Sequence, residues 1–156
     1  MKNIRLHYVI ILISALLLGV LLFCFIRYQE ILHKEPTVWY PSIRVFQSNN
    51  GYTAYFLEEK RIAGSMSFSK DRQLLRNWNL EAINTDDAPD FLGKSLDEIV
   101  QNYGQPHADI GSGFFYPAYV SKNAQLIVLS IDNNAVYKVA VRDLITNSLV
   151  MEYNIE

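Results

Sequence analysis

The sequence has little cysteine and no excess of basic residues, and each shortage excludes a class of protein. The 156 residues include one cysteine, Cys24, so no intramolecular disulfide can form and a hydrophobic core must hold the fold. Lys and Arg number 14 against 16 Asp and Glu. Of these, 10 basic and 14 acidic residues fall within residues 36–156. We therefore expect no nucleic-acid-binding surface.

Charge is absent altogether from residues 8–26, a run of 19 positions that begins at Tyr8 and ends at Ile26. A helix of this length spans about 28 Å, close to the roughly 30 Å hydrocarbon core of a bilayer. The run predicts a transmembrane helix over 8–26, after a short N-terminal segment 1–7. Residues 27–42 would form a stalk that is in part a continuation of the helix, with Pro36 ending it.

Two alternatives to a permanent anchor remain open. A cleaved signal peptide has a shorter apolar run and a small-x-small cleavage site, which the stretch before Ile26 lacks. A lipoprotein needs a small residue before the modified cysteine, whereas Phe23 precedes Cys24. Lys2 and Arg5 lie before the span without any acid among them, which favours a cytoplasmic N-terminus and an extracytoplasmic C-terminal domain at the cell membrane.

Residues 43–83 alternate apolar and polar side chains with the period of a β-meander of about four strands. The segments 43–47 and 52–57 flank Ser48-Asn49-Asn50-Gly51, a sequence typical of a hairpin turn. For residues 71–80 a helix remains an alternative, but the two asparagines favour a strand. Residues 84–90 are expected to be a solvated linker, because their three carboxylates lack calcium-loop spacing.

Residues 91–156 predict one short helix followed by a three-stranded antiparallel sheet, one compact domain with the meander. Ser95 and Glu98 form a capping box for a helix over about 94–103, which Gly104 in a left-handed conformation and Pro106 end. Three strands follow, over 114–120, 125–131 and 136–142, and the tail 144–156 could add another. The second strand is apolar on both faces, as a central strand should be. The fold class is therefore α+β, with the short helix packed on a meander.

One sequence pattern carries a family resemblance: Leu92-Gly93-Lys94-Ser95, then Ile99-Val100, then Tyr103-Gly104-Gln105-Pro106, followed by aromatic strands and a hairpin. Over residues 91–143 it resembles the small outer-membrane assembly lipoproteins (BamE/SmpA) and the related β-lactamase-inhibitor-type fold. The resemblance implies a non-enzymatic protein that binds other proteins. This chain departs from those families in having an apolar span in place of a lipidated cysteine, and a meander before the helix. No partner-binding residue is carried over.

The segment 114–119 carries four aromatic rings, and one face of a strand cannot bury them all. Exposed aromatic side chains are the usual anchors of protein interfaces. We therefore predict an interaction surface at an edge strand, formed by Phe115, Tyr116 and Tyr119, with Tyr116 and Tyr119 partly exposed.

The sequence contains no recognisable catalytic set. His107 with Asp109 nearby could act as a general base with its orienting carboxylate, although a histidine in a surface loop is the simpler interpretation. One histidine with scattered acids does not make a metal site, and we expect no cofactor. The sequence thus favours a single-pass, non-enzymatic module that binds another envelope protein. The alternative is an extracytoplasmic ligand-binding protein or enzyme acting on an envelope component around His107.

Overall fold

The computed structural model describes residues 2–33 and 38–155, so the expected end of the first helix at Pro36 lies outside the described residues. The chain divides into two compact units, residues 1–35 and residues 36–156. Its elements are α1 (Lys2–His33), β1 (Val38–Trp39), β2 (Ile43–Ser48), β3 (Gly51–Glu58), β4 (Arg61–Ser69), β5 (Leu74–Trp78), a 3₁₀ helix (Thr85–Phe91), α2 (Leu96–Tyr103), β6 (Ala108–Asp109), β7 (Pro117–Val120), β8 (Gln125–Asp132), β9 (Ala135–Asp143) and β10 (Leu149–Asn154).

Helix α1 is long and apolar, and it extends beyond the predicted span of 8–26 at both ends. Its segment Ile11–Gln29 has a mean hydropathy of 2.4, and none of it is buried against the rest of the protein. By length and composition this segment could cross a membrane, and a signal sequence has the same properties. Residues 27–33, part of the predicted stalk, continue the helix.

The first sheet is an antiparallel meander in the order β1-β2-β3-β4-β5. The alternating pattern of residues 43–83 predicted β2 to β5, whereas β1 lies within the predicted stalk 27–42 and pairs with β2, so that boundary was wrong. The predicted hairpin is confirmed, since β2 and β3 pair from Ile43↔Phe56 to Ser48↔Gly51 around the turn Asn49-Asn50. Gly51 is required there, because a Cβ atom would lie 2.0 Å from the carbonyl oxygen of Phe68.

The preference for a strand within residues 71–80 is also confirmed, but its bounds were wrong. Strand β5 covers Leu74–Trp78 and ends at Asn79, which has a φ of 58°. The predicted alternation through Ala82 therefore does not continue as a strand. Ile83 instead makes an isolated bridge with Ser121.

The expected solvated linker over 84–90 is wrong, because residues Thr85–Phe91 form a 3₁₀ helix that buries Ala88 and Phe91. The predicted helix is found as α2. Ser95 caps its N-terminus in a capping box with Glu98, in which Ser95 Oγ accepts a hydrogen bond from the Glu98 amide. Gly104 follows with a φ of 79° and a ψ of −177°. The positive φ was predicted, but the left-handed helical conformation was not adopted.

The second sheet has five antiparallel strands rather than three, in the order β10-β9-β8-β7-β6. The two additions are β10, which the tail was expected to supply, and the two-residue strand β6. Residues 114–116 were predicted to start a strand but precede it, and β7 begins at Pro117. Pro117 pairs with Asp109 of the short edge strand β6, close to the edge position that a proline requires.

Residues 38–155 form three layers, the first sheet, the second sheet and the two short helices, with a hydrophobic cluster between each pair of neighbouring layers. One cluster joins the two sheets, with Ile43, Phe56 and Phe68 of the first sheet packed among Leu126 and other side chains of the second. The other lies on the opposite face of the second sheet, beneath the 3₁₀ helix and α2. Strand β8 supplies both clusters through alternate side chains, which confirms its prediction as a central strand apolar on both faces.

Candidate interaction surface

Tyr119 lies in the core, and its predicted partial exposure is wrong. Its side chain is 0% exposed, because β7 is the fourth strand of a sheet covered on both faces. The Tyr119 hydroxyl donates a 2.8 Å hydrogen bond to the carbonyl oxygen of Gly104. The ring packs 5.7 Å from that of Phe91, centroid to centroid. Burial raises the pKa of Tyr119 to about 12, and the residue ties the end of α2 to the sheet.

The other predicted residues do lie on the surface. Phe115 is 56% exposed and Tyr116 37%, and the preceding Phe114 is 77% exposed. These side chains lie in the connection between β6 and β7 rather than in a strand. Side chains alternate between two faces only in a strand, so all three rings can be exposed here. Their exposure follows from that loop conformation, which the strand assignment missed.

The connection between β6 and β7 is closed by its own hydrogen bonds. Asp109 Oδ1 accepts hydrogen bonds from the amides of Gly111 and Tyr116, both 2.9 Å long. The Ile110 amide donates to the carbonyl oxygen of Tyr116 at 3.1 Å. Gly111 is needed for this closure, since a Cβ atom there would lie 1.5 Å from the carbonyl oxygen of Phe114. The aromatic rings are therefore presented on a backbone with a defined shape.

A cavity of about 440 Å³ opens beside this loop. The rings of Phe114, Phe115 and Tyr116 line it together with Tyr137. Its remaining walls come from the start of α2 and the β8–β9 turn, through Leu96, Ser130, Ile131 and Asn134. We call Phe114, Phe115, Tyr116 and Tyr137 the aromatic surface.

Sequence reasoning missed Tyr137, which is 46% exposed. The alternation in β9 placed Tyr137 with Val139 and Val141, both buried. The register of β8 and β9 shifts between the pairs Ser130↔Lys138 and Ile131↔Val136, so Tyr137 has no direct partner across the ladder. A β-bulge of this kind redirects side chains, and no pattern in the sequence of this strand predicts it.

His107 lies in the connection between α2 and β6, as a loop residue, but it is half-buried there and Asp109 does not orient it. Its Nδ1 accepts a 2.8 Å hydrogen bond from the Val120 amide, and the ring also hydrogen bonds to the backbone of Glu81. Because Nδ1 accepts, Nε2 must carry the proton that is donated to Glu81. Burial lowers the pKa of His107 to about 4, against the smaller opposite effect of the bond to Glu81.

Asp109 does not orient His107, since its carboxylate is engaged in closing the aromatic loop. The His107 ring instead makes edge contacts with Phe56 at 6.0 Å and Tyr119 at 5.5 Å, measured between ring centroids. A general base needs a lone pair directed at substrate, and both nitrogens of this ring are engaged with the backbone. The arrangement makes His107 a structural link between the two sheets.

His107 also borders a cleft of about 530 Å³ between the segment 79–84 and the C-terminal end of α2. Its lining mixes polar side chains with Leu80, Ala82, Ile83 and Tyr103. Among the described residues, no group of three or more His, Cys, Asp or Glu side chains is placed to hold a metal ion.

No protein-family model, curated protein or solved structure matches this chain. The resemblance to the assembly lipoproteins and the inhibitor-type fold over residues 91–143 accordingly stays a prediction.

Proposed function

We propose that the chain is a single-pass membrane protein whose extracytoplasmic domain binds another envelope protein through the aromatic surface, without catalysis. The observation that carries this proposal is the concentration of four exposed aromatic rings around one 440 Å³ cavity. Large aromatic side chains in a shallow cavity are the kind of anchor that dominates binding energy in protein interfaces, at about 2 kcal/mol or more for a central one.

The proposed anchor is supported by the exposure of α1. The large apolar side chains from Ile11 to Ile26 are exposed in the described protein, with no tertiary contact to cover them. Such a helix is stable when lipid surrounds it, since the backbone satisfies its own hydrogen bonds. The positive charges of Lys2 and Arg5 support a cytoplasmic N-terminus.

The hydrogen bonds that Asp109 makes across the loop support the proposal, because they order the aromatic surface before a partner binds. Rings held on an ordered backbone lose less conformational entropy on binding than rings on a disordered segment. Tyr116 is fixed through its own amide, and Phe114 and Phe115 lie between the two residues that Asp109 binds.

The engagement of His107 argues against the enzymatic alternative. With both ring nitrogens bonded to backbone and a pKa lowered by burial, His107 is neutral at physiological pH and has no free acceptor. This leaves the alternative without its expected general base.

Site-specific photo-crosslinking in native membranes tests the proposal. A photoreactive phenylalanine analogue at Phe114 should form an adduct with a discrete protein, because this ring is the most exposed of the aromatic surface. The matched control is the same analogue at Trp78, which is 51% exposed on the edge strand of the other sheet.

The analogue placed at Tyr137 should form an adduct with the same protein, since Tyr137 lines the same cavity. Adding Phe114→Ala and Phe115→Ala to that chain should abolish the adduct while leaving the near-ultraviolet circular dichroism spectrum that of a folded protein. Identical adducts from positions 114 and 78, or no adduct at 114, would refute the aromatic surface as the binding site.

A further inference from the structure

A second concave surface lies apart from the aromatic surface and differs from it in chemistry. It is the 530 Å³ cleft beside His107, and its polar lining comes from Asn79, Glu81, Asn84, Asp87, Asn102, Gln105 and Lys122. We call it the polar cleft. Its volume lies within the range of small-molecule sites, about 300 to 1,000 Å³. The residues converge from four separate segments of the chain, which only the fold brings together.

Several side chains of the polar cleft are uncommitted. Asn84 occupies the N-cap position of the 3₁₀ helix without making a capping hydrogen bond. Within the described ranges, no hydrogen bond or ion pair engages the side chains of Asp87, Gln105 or Lys122 either. A ligand would therefore not have to break protein contacts to reach them, and the binding free energy would not be reduced by that cost.

The polar cleft presents both acceptors and donors, since Lys122 and the amide nitrogens of Asn84 and Gln105 can donate hydrogen bonds. The Asn102 amide nitrogen donates to the Glu98 carbonyl oxygen at 2.9 Å, which leaves its Oδ1 as an acceptor. Asp87 adds a carboxylate. The C-terminal end of α2, which carries no basic residue in its last turn, adds the negative end of the helix dipole. A ligand that fits must both donate and accept hydrogen bonds.

Charge narrows the class of ligand. The carboxylates of Glu81 and Asp87 line the cleft and disfavour an anionic ligand. Burial raises the pKa of Tyr103 in the same wall, and the nearby Asp87 and Asp90 raise it further. Lys122 disfavours a purely cationic one. Hydroxyl groups donate to carboxylate and amide oxygens and also accept from Lys122 and from amide nitrogens. The ring of Tyr103, half-buried in the same wall, offers an apolar contact.

We propose that the polar cleft binds a neutral oligosaccharide. Asp87, Asn102 and Gln105 would hold its hydroxyl groups, and Lys122 would donate to its ring or acyl oxygens. His107 is a positioning residue here, because its hydrogen bonds to Val120 and to the Glu81 backbone hold one wall of the cleft. This proposal is independent of the aromatic surface.

Saturation-transfer difference NMR on the full chain in detergent tests it. The probes are chitotriose, cellotriose and maltotriose, with spermidine as the cationic arm and inorganic phosphate, followed by ³¹P line broadening, as the anionic arm. At least one trisaccharide should receive saturation and compete with itself. The double substitution Asp87→Ala and Asn102→Ala should weaken its binding about tenfold or more.

Two further measurements separate binding from folding. Phe114→Ala, on the aromatic surface, should leave saccharide binding unchanged, and the cleft variant should keep the wild-type near-ultraviolet circular dichroism spectrum. Lys122→Ala, an exposed position outside the hydrophobic core, should weaken binding without altering the fold. Binding of spermidine or phosphate in place of the saccharides, equal saccharide binding by the cleft variants, or binding of none of the probes would overturn the proposal.

Discussion

Tyr119 and His107 show how single side chains fasten the parts of the C-terminal unit together. Tyr119 reaches from β7 to the carbonyl oxygen of Gly104, beyond the end of α2. His107 binds the backbone of Val120 on one side and of Glu81 on the other. Both rings pack against each other as well. Each residue therefore contributes packing together with a hydrogen bond that only the folded chain can form.

Two substitutions of Tyr119 should lower the free energy of unfolding by different amounts. Tyr119→Phe removes the hydroxyl bonded to Gly104 and should lower the free energy of unfolding by about 1 kcal/mol. Tyr119→Ala leaves a cavity as well and should cost about 3 to 5 kcal/mol. Tyr116→Ala, at an exposed position, is the control and should cost little. Urea unfolding of residues 36–156 measures all three, and equal costs for Tyr116→Ala and Tyr119→Ala would contradict the burial of Tyr119.

His107 should make stability depend on pH. In the unfolded chain a histidine takes up a proton near pH 6.5, whereas burial lowers the pKa of folded His107 to about 4. Between these two pH values the histidine is protonated in the unfolded chain only, which favours unfolding. The contribution of neutral His107 to the free energy of unfolding is therefore complete above about pH 6.5 and is lost as the pH falls toward about 4. The loss is on the order of 3 kcal/mol.

The comparison with His107→Asn isolates this effect, because asparagine keeps an acceptor and does not titrate. Urea midpoints of both chains at pH 7, 5.5 and 4 should converge as pH falls. Burial raises the pKa of Asp143, but hydrogen bonds from Thr146 and Ile145 lower it below its ordinary value. This carboxyl group titrates in both chains, so its effect on stability cancels in the difference. A difference that stays constant from pH 7 to 4 would show that His107 is not held neutral.

Among the elements, α2 has the most complete local specification. Its capping box, its apolar face centred on the fully buried Ile99, and the glycine after its last residue all agree on one placement. The helix is short, at eight residues, and a helix of that length is marginal in water without tertiary contacts. Its caps and the packing of Ile99 beneath it therefore act together.

Substitutions at the two ends of α2 should destabilise the fold by separate mechanisms. Ser95→Ala removes the side chain that accepts from the Glu98 amide and should cost about 1 kcal/mol, whereas Ser95→Thr keeps the cap. Gly104→Val should cost about 1 kcal/mol or more, since a β-branched residue resists a φ of 79°. Gln105→Val, at the next and exposed position, is the control. Unchanged urea midpoints in both test variants would contradict this description of the helix ends.

On the scale of the whole molecule, the chain pairs an exposed apolar helix with a compact three-layer unit. The two candidate binding sites lie in different parts of that unit and share no lining residue. The apolar helix would confine both to the vicinity of a membrane. Such confinement raises the effective concentration of partners held in the same envelope.

The proposed orientation predicts a labelling pattern on intact cells. With Cys24 replaced by Ser, a cysteine at the exposed position Asn123 should react with a membrane-impermeant maleimide, because the C-terminal unit would lie outside the cytoplasm. In the native chain, Cys24 should stay unreactive in lipid, although the described protein leaves its thiol uncovered. Labelling at position 123 only after lysis would reverse the orientation.

Local patterns in the sequence determined several elements of this protein, though not the 3₁₀ helix, β6 or the start of β7. The asparagine turn between β2 and β3, the alternation of β4, the two-faced apolar strand β8 and the capped helix α2 each depend on residues a few positions apart. Their physical causes are turn geometry, side-chain period and capping, which act within one element. These features could therefore be predicted before any tertiary contact was known.

Only the tertiary structure decided which aromatic and polar residues are available for binding. Tyr116 and Tyr119 are three positions apart, yet one is exposed and the other lies in the core, because the strand starts at Pro117 and not at Phe114. His107 became a structural link through the backbones of Val120 and Glu81, and Tyr137 reached the aromatic surface through a bulge opposite β8. These outcomes depend on register and on contacts between distant segments, which are set by the free energy of packing the whole domain and not by local sequence.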